Sequence, residues 1–103
     1  MIIVNKNEGQ KIPFEVSGKK VIFDDDLSIN LSKREKDDPV HIDVCYDQDG
    51  ELCIGAAAGW AYVAEIDIPA RRYEEVESEG EETTLQPVPL DMDTVTLTLW
   101  AIE

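Results

Sequence analysis

The side chains best suited to chemistry are one histidine and two cysteines that lie close together in the sequence. His41, Cys45 and Cys53 are candidate zinc ligands by residue type. A structural zinc site usually takes four ligands, and the sequence has no second histidine and no Cys-x-x-Cys pair. We therefore expect a structural histidine, two free thiols, no metal site and no cofactor.

Two acidic runs have the composition of calcium sites without their geometry. Residues 24–26 are three aspartates in a row, but successive side chains of an extended chain point apart, whereas a cation needs converging oxygens. Residues 47–50 resemble part of the twelve-residue calcium loop of an EF-hand. That loop needs an acidic residue at its first position and a glutamate at its twelfth, but Cys45 and Ala56 occupy those positions here. We expect both runs to be solvated turns.

The total charge excludes several classes of partner. The chain has 23 Asp and Glu against nine Lys and Arg, for a net charge of −14. Such a field repels nucleic acid and anionic membrane surfaces, so direct binding to either is not expected. With so many carboxylates, no pair stands out for acid–base catalysis, and no phosphate-binding loop or nucleophile motif is present. The sequence predicts a non-enzymatic protein.

The compartment is predicted from the absence of targeting signals in the given sequence. Met1 to Val4 has no basic region before it, as a secretory signal would. The longest uncharged run, residues 52–64, is shorter than the roughly 18 residues of a membrane-spanning helix. We expect a cytoplasmic protein whose two thiols are reduced.

Residues 94–102 form the clearest strand. Val95, Leu97 and Leu99 alternate with threonines and then Trp100, and a period of two is the strand signal because successive side chains leave on opposite faces. No Gly or Pro interrupts the segment. The pattern predicts a central strand with its aliphatic face buried.

A hairpin is predicted around residues 40–54, with a register that follows from its turn. If residues 48–50 form a three-residue loop with Gly50 in the left-handed position, Tyr46 faces Leu52 and Cys45 faces Cys53. Both apolar cross-strand pairs then fall on one face. A two-residue loop would shift the register by one and expose the apolar set.

Residues 60–68 alternate as a second strong strand. The alternation predicts one buried face, formed by Trp60, Tyr62, Ala64, Ile66 and Ile68. Further short strands are predicted over residues 11–16, 21–23 and 27–31, the first two as a hairpin.

Two segments depart from this strand pattern. Ser32 and Glu35 have the spacing of a helix capping box, and Pro39 limits any helix near residues 32–38 to one or two turns. The window 74–82 contains six glutamates, and such a block repels itself, which predicts a mobile acidic loop near residues 77–84.

These patterns predict a single all-β domain over residues 1–103. We expect about seven or eight short strands in a small, mostly antiparallel sandwich or barrel, with at most one short helix near residues 32–38. An α+β domain with a helix in that place is the alternative.

Three functions fit the sequence. The leading hypothesis is a protein-interaction or assembly module, which binds a protein partner or a second copy of itself through edge strands. An acidic mimic of nucleic acid that inhibits a basic DNA- or RNA-binding protein is one alternative. A small-ligand or glycan-binding domain, which requires exposed aromatics, is another. The residues expected to contact a partner are Trp100, Thr96, Thr98, Trp60 and Tyr62.

Overall fold

The computed structural model describes residues 1–55, 61–77, 80 and 83–102, and within them the fold is all-β, as predicted. Ten strands lie in these ranges, compared with the seven or eight expected. They are β1 (Ile2–Asn5), β2 (Phe14–Ser17), β3 (Lys20–Phe23), β4 (Leu27–Asn30), β5 (Val40–Tyr46), β6 (Leu52–Ile54), β7 (Ala61–Ile68), β8 (Tyr73–Glu77), β9 (Thr83–Pro87) and β10 (Thr96–Leu99).

The strands form sheets of five, three and two strands. The five-stranded sheet has the order β1-β10-β7-β5-β6, the three-stranded sheet is the meander β2-β3-β4, and β8 pairs with β9. All pairs among the described strands are antiparallel except β1 with β10, where Ile2 lies opposite Thr96 in a parallel ladder. The predicted hairpin of the second and third strands is thereby confirmed.

One apolar core joins the five-stranded sheet to the meander. Val21, Phe23 and Ile29 of the meander are buried in the same cluster as Ile66 and Leu97 of the larger sheet. The meander therefore covers one face of the larger sheet, and the aliphatic side chains of both sheets fill the space between them.

The predicted central strand is confirmed in its central place and in its facing, although β10 is shorter than the predicted residues 94–102. β10 lies between β1 and β7. Val95, Leu97 and Leu99 are buried, while Thr96 and Thr98 are only half-buried. The alternation therefore placed the core face of this strand correctly.

The predicted register of the β5–β6 hairpin is also confirmed. Cys45 lies opposite Cys53, and Tyr46 lies opposite Leu52. Gly50 has a φ of +78°, the left-handed conformation that the three-residue loop requires. Because the loop fixes the register, the apolar side chains of both strands fall on a common face.

A β-bulge in β7 makes one expectation wrong. Across from β5, Val44 pairs with Ala64 but Cys45 pairs with Tyr62, so Val63 is the extra residue. Val63 and Ala64 are both buried, which reverses the alternation before the bulge. Tyr62 was expected in the core, and instead it is 37% exposed. An alternating sequence pattern does not reveal where a bulge inserts one extra residue, so the sequence alone did not predict this change of face.

In the described parts of the chain, helix is limited to two 3-10 turns, Leu31–Lys33 and Met92–Thr94. The first is the short helix expected near residues 32–38, but it begins one residue earlier and is shorter. Its cap is Asn30, whose side chain accepts hydrogen bonds from Lys33 N and Ser32 Oγ. The capping box predicted from Ser32 is therefore replaced by an Asn cap, which is equally favourable. The second turn was not predicted.

The hairpin of β8 and β9, named the arm here, stands apart from the core. Its strands pair only with each other in the described residues, and all their side chains are exposed except the half-buried Val76. The molecule is elongated, with extents of 60 × 23 × 21 Å. The mobility predicted near residues 77–84 falls mostly on residues 78, 79, 81 and 82, which lie outside the described residues, and stays a prediction.

Candidate functional site

The face of the five-stranded sheet that points away from the meander, named the open face here, collects the polar side chains of three strands. β5, β7 and β10 are neighbours, so residues that alternate with the buried ones come together across them. The open face contains His41, Asp43, Tyr62, Glu65, Asp67, Thr96, Thr98 and Trp100.

At the centre of the open face, His41 is surrounded by three carboxylates. Its Nδ1 lies 2.6 Å from Asp67 Oδ1, and its Nε2 lies 2.8 Å from Asp43 Oδ1. Glu65 Oε1 is 3.4 Å from the same Nε2. The antiparallel pairing explains the meeting, because His41 lies directly opposite Asp67, and Asp43 directly opposite Glu65.

These contacts favour the protonated imidazole. Carboxylate oxygens at neutral pH only accept hydrogen bonds, so both ring nitrogens of His41 donate when the ring is charged. The hydrogen bond to Asp67 raises the pKa of His41, partial burial opposes that rise, and Asp43 adds to it. The His41 side chain is 47% exposed, so solvent screens these interactions.

Two aromatic rings lie at one side of this cluster. Trp100 Nε1 donates to Glu65 Oε2 at 2.8 Å. The Tyr62 ring stacks on Trp100 with centroids 5.1 Å apart and planes inclined by 20°, and Lys6 Nζ lies 5.4 Å from the Trp100 ring centroid. The indole thus connects an aromatic pair to a carboxylate that faces His41.

The structure places four of the five predicted contact residues on the open face. Trp100, Thr96, Thr98 and Tyr62 lie there together, although Tyr62 reaches this face only through the bulge. Trp60 lies outside the described residues. Tyr62 has the exposure that a small-ligand site requires, but one side of its ring is covered by Trp100.

Sequence reasoning missed the carboxylates around His41. Asp43 follows His41 by two residues and Asp67 follows Glu65 by two, so each pair lies on one face of its strand. This i, i+2 spacing was a usable signal. Bringing the two pairs together required the β5–β7 register, which the sequence did not specify.

The other residues considered as ligands do not join this cluster. Cys45 lies on the same face of β5 as Asp43, but it is buried there between Tyr62 and Cys53, its partners on the neighbouring strands, and both thiols are free. Burial, with Cys53 beside it, raises the pKa of Cys45. The aspartates at 24–26 are exposed in the turn between β3 and β4, as predicted. Across residues 1–55, 61–77 and 83–102, His41, Asp43 and Glu65 are the group whose ligand atoms converge.

An open cleft of about 640 Å³ borders the cluster. His41 and Asp43 form part of one wall, and Lys33, Arg34 and Lys36 line the cleft beside them. Basic side chains therefore lie close to the acidic open face. This mixture opposes a continuous acidic surface of the kind that a nucleic-acid mimic presents.

The arm is a second candidate surface. Tyr73 is 44% exposed and Leu85 is 67% exposed. Leu85 lies directly opposite Glu75, and Tyr73 is two residues away, so all three share one face of the arm. The base of the arm is fixed by Arg71, which donates to Glu35 O at 2.8 Å, and by Tyr73 Oη, which donates to Asp37.

Comparison with known proteins yields no relative: no family model, curated protein or solved structure matches this chain. Within the described portion of the chain, no helix has the length and apolar character needed to cross a bilayer.

Proposed function

We propose that this protein is a non-enzymatic interaction module that binds a protein partner through the arm. The observation that carries the proposal is the position of the arm, an exposed two-stranded ribbon outside the core. A two-stranded hairpin is marginally stable in water by itself, and this one exposes Tyr73 and Leu85 on a common face. A partner that covers this face would supply the burial that the domain does not.

The charge of the arm defines the partner's chemistry. From Tyr73 to Pro87 the sequence has six glutamates and no lysine or arginine. A second copy would bring glutamates against glutamates, which disfavours self-association through the arm. The partner that fits is a protein with an apolar groove for Tyr73 and Leu85 and basic residues around that groove.

The proposed compartment is the cytoplasm. Cys45 and Cys53 are cross-strand neighbours and remain free thiols, which supports a reducing environment.

Photo-cross-linking from the arm tests the proposal. A photoreactive residue is introduced at Leu85 or, as the matched control, at Thr84, which is also exposed but points to the opposite face of the arm. In cells of the source organism we expect one discrete heterologous cross-linked protein from position 85 and much less from 84. Glu75→Gln with Glu77→Gln should weaken that cross-link, and so should added salt.

Three results would contradict the proposal. One is a cross-link of equal yield from both positions, which indicates random encounter. Another is a product with twice the mass of this chain, which indicates self-assembly. The third is displacement of the partner by DNA at moderate salt, which would support the nucleic-acid mimic instead. We expect no such competition, because the apolar side chains of the arm have no counterpart in DNA.

A further inference from the structure

Three potential ligand atoms lie close together on the open face. His41 Nε2, one Asp43 oxygen and one Glu65 oxygen all lie within 4.8 Å of one another. Two of these atoms are carboxylate oxygens, which carry only lone pairs, and both face the same ring nitrogen. Lone pairs that point at one another repel, so a positive charge must lie among them. That charge is either a proton on Nε2 or a cation.

The surrounding residues orient these ligand atoms as in a metal site. When a cation replaces the Nε2 proton, Asp67 still accepts from His41 Nδ1, which leaves the Nε2 lone pair facing Asp43 and Glu65. Trp100 Nε1 donates to Glu65 Oε2, which leaves Oε1 turned toward His41. A carboxylate behind a ligating histidine, and a donor behind a ligating carboxylate, are the usual outer partners of metal ligands.

We propose that His41, Asp43 and Glu65 bind one divalent cation of the first transition row, with Zn²⁺ or Mn²⁺ as the closest fit. Ligands about 2.1 Å from a tetrahedral ion are about 3.4 Å apart, and those of an octahedral ion about 3.0 Å. The observed 2.8 Å and 3.4 Å from Nε2 bracket these values. An imidazole among the ligands favours transition metals over Mg²⁺ and Ca²⁺, which prefer oxygen alone.

The site has room for further ligands. The side chain of His41 is 47% exposed and borders the cleft beside β4. Three protein ligands and access to solvent leave coordination positions for water or for a small anion, as in metal sites that are not purely structural. This cation site is independent of the arm, so either proposal stands if the other fails.

The single histidine makes a direct test possible. Protein freed of metal with EDTA and labelled with ¹⁵N is titrated with ZnCl₂, and the two ring nitrogens are followed by long-range ¹H–¹⁵N spectra. We expect one equivalent of Zn²⁺ to move the Nε2 resonance to that of a coordinated nitrogen, while Nδ1 keeps its proton. Co²⁺ should give visible absorption bands of a nitrogen- and oxygen-ligated ion. A large excess of Mg²⁺ should displace neither ion.

Matched variants separate this site from the general acidity of the chain. Asp43→Asn with Glu65→Gln should weaken Zn²⁺ binding by at least about 100-fold, and Asp67→Asn by about 10–100-fold. Asp24→Asn with Asp25→Asn removes the same number of charges elsewhere and should leave the affinity unchanged.

Three outcomes would overturn the proposal. One is that the His41 ring of the wild-type protein keeps protons on both nitrogens at saturating Zn²⁺. The positive charge among the three ligand atoms is then the imidazolium itself, and no cation binds there. Another is that the control variant Asp24→Asn with Asp25→Asn loses as much affinity for Zn²⁺ as the variant of Asp43 and Glu65. The third is displacement of Zn²⁺ or Co²⁺ by excess Mg²⁺. Both results would indicate diffuse binding to carboxylates. The ring spectra of the wild-type protein decide the first outcome without any variant, so misfolding of a variant cannot obscure it.

Discussion

Replacing Leu97 by alanine should remove a large share of the protein's stability. Leu97 is fully buried in β10, opposite Ile66 of β7 and beside Ile3 of β1. Three carbon atoms are lost, each worth about 0.8 kcal/mol of transfer free energy. Strands hold β10 on both sides, so the surroundings cannot collapse and a cavity remains. The total cost should be about 3–5 kcal/mol, from a free energy of unfolding of about 5–15 kcal/mol.

Urea unfolding monitored by circular dichroism measures this cost, and Thr96→Ala is the matched control. Thr96 lies on the same strand but is half-buried on the open face, so its replacement should cost no more than about 1 kcal/mol. The denaturant dependence of the free energy should be the same in both variants. Equal losses for Leu97→Ala and Thr96→Ala would refute the assignment of the core face.

Three further results are expected. In EDTA-containing buffer, His41→Asn should destabilise the protein at about pH 5.5 and less at about pH 8.5. The pKa of His41 in the folded protein is raised above 6.5, so the stabilisation from this group is complete below the pKa of the unfolded chain and disappears as the pH rises through the pKa of the folded protein. The difference in the free energy of unfolding should stay below about 1 kcal/mol because the ring is half-exposed. Ellman's reagent should modify the half-buried Cys53 well before the buried Cys45, whose pKa is raised. Amide hydrogen exchange should be fast in residues 77–84 and slow in β10.

Each of these expectations has a clear contrary result. A loss of stability in the histidine variant that grows with pH would mean that the ring is neutral in the folded state. Simultaneous modification of both thiols would mean that the sheet opens as a unit around them. Strong protection of the amides in the window 77–84 would mean that the tip of the arm is packed rather than mobile.

The parts of the fold that local patterns determine were predictable from the sequence. Alternation identified β10 and its buried face, and the chemistry of Gly50 identified the loop that sets Cys45 opposite Cys53. Both are local, because they depend on successive residues of one strand or one turn.

The parts that depend on pairing between distant strands were not predictable. The parallel neighbour of β10 is β1, which no adjacent turn specifies. The bulge at Val63 is visible only against β5, and it moved Tyr62 from the expected core to the open face. The cluster around His41 needs the register of β5 against β7, so its members appeared in the sequence only as two separate pairs. Composition explains why: with 23 acidic residues, no particular carboxylate stands out.

The parallel pairing of β1 with β10 has a consequence for how the chain folds during synthesis. The meander and the β5–β6 hairpin join neighbouring segments, so they can form as soon as each segment is made. The larger sheet cannot be completed at that stage, because β10 separates β1 from β7 and is the last of its five strands to be synthesised. Closing so long a loop is slow. Until then the edges of β1 and β7 are open to other chains, and the mutual repulsion of chains with a net charge of −14 protects the unfinished protein from association.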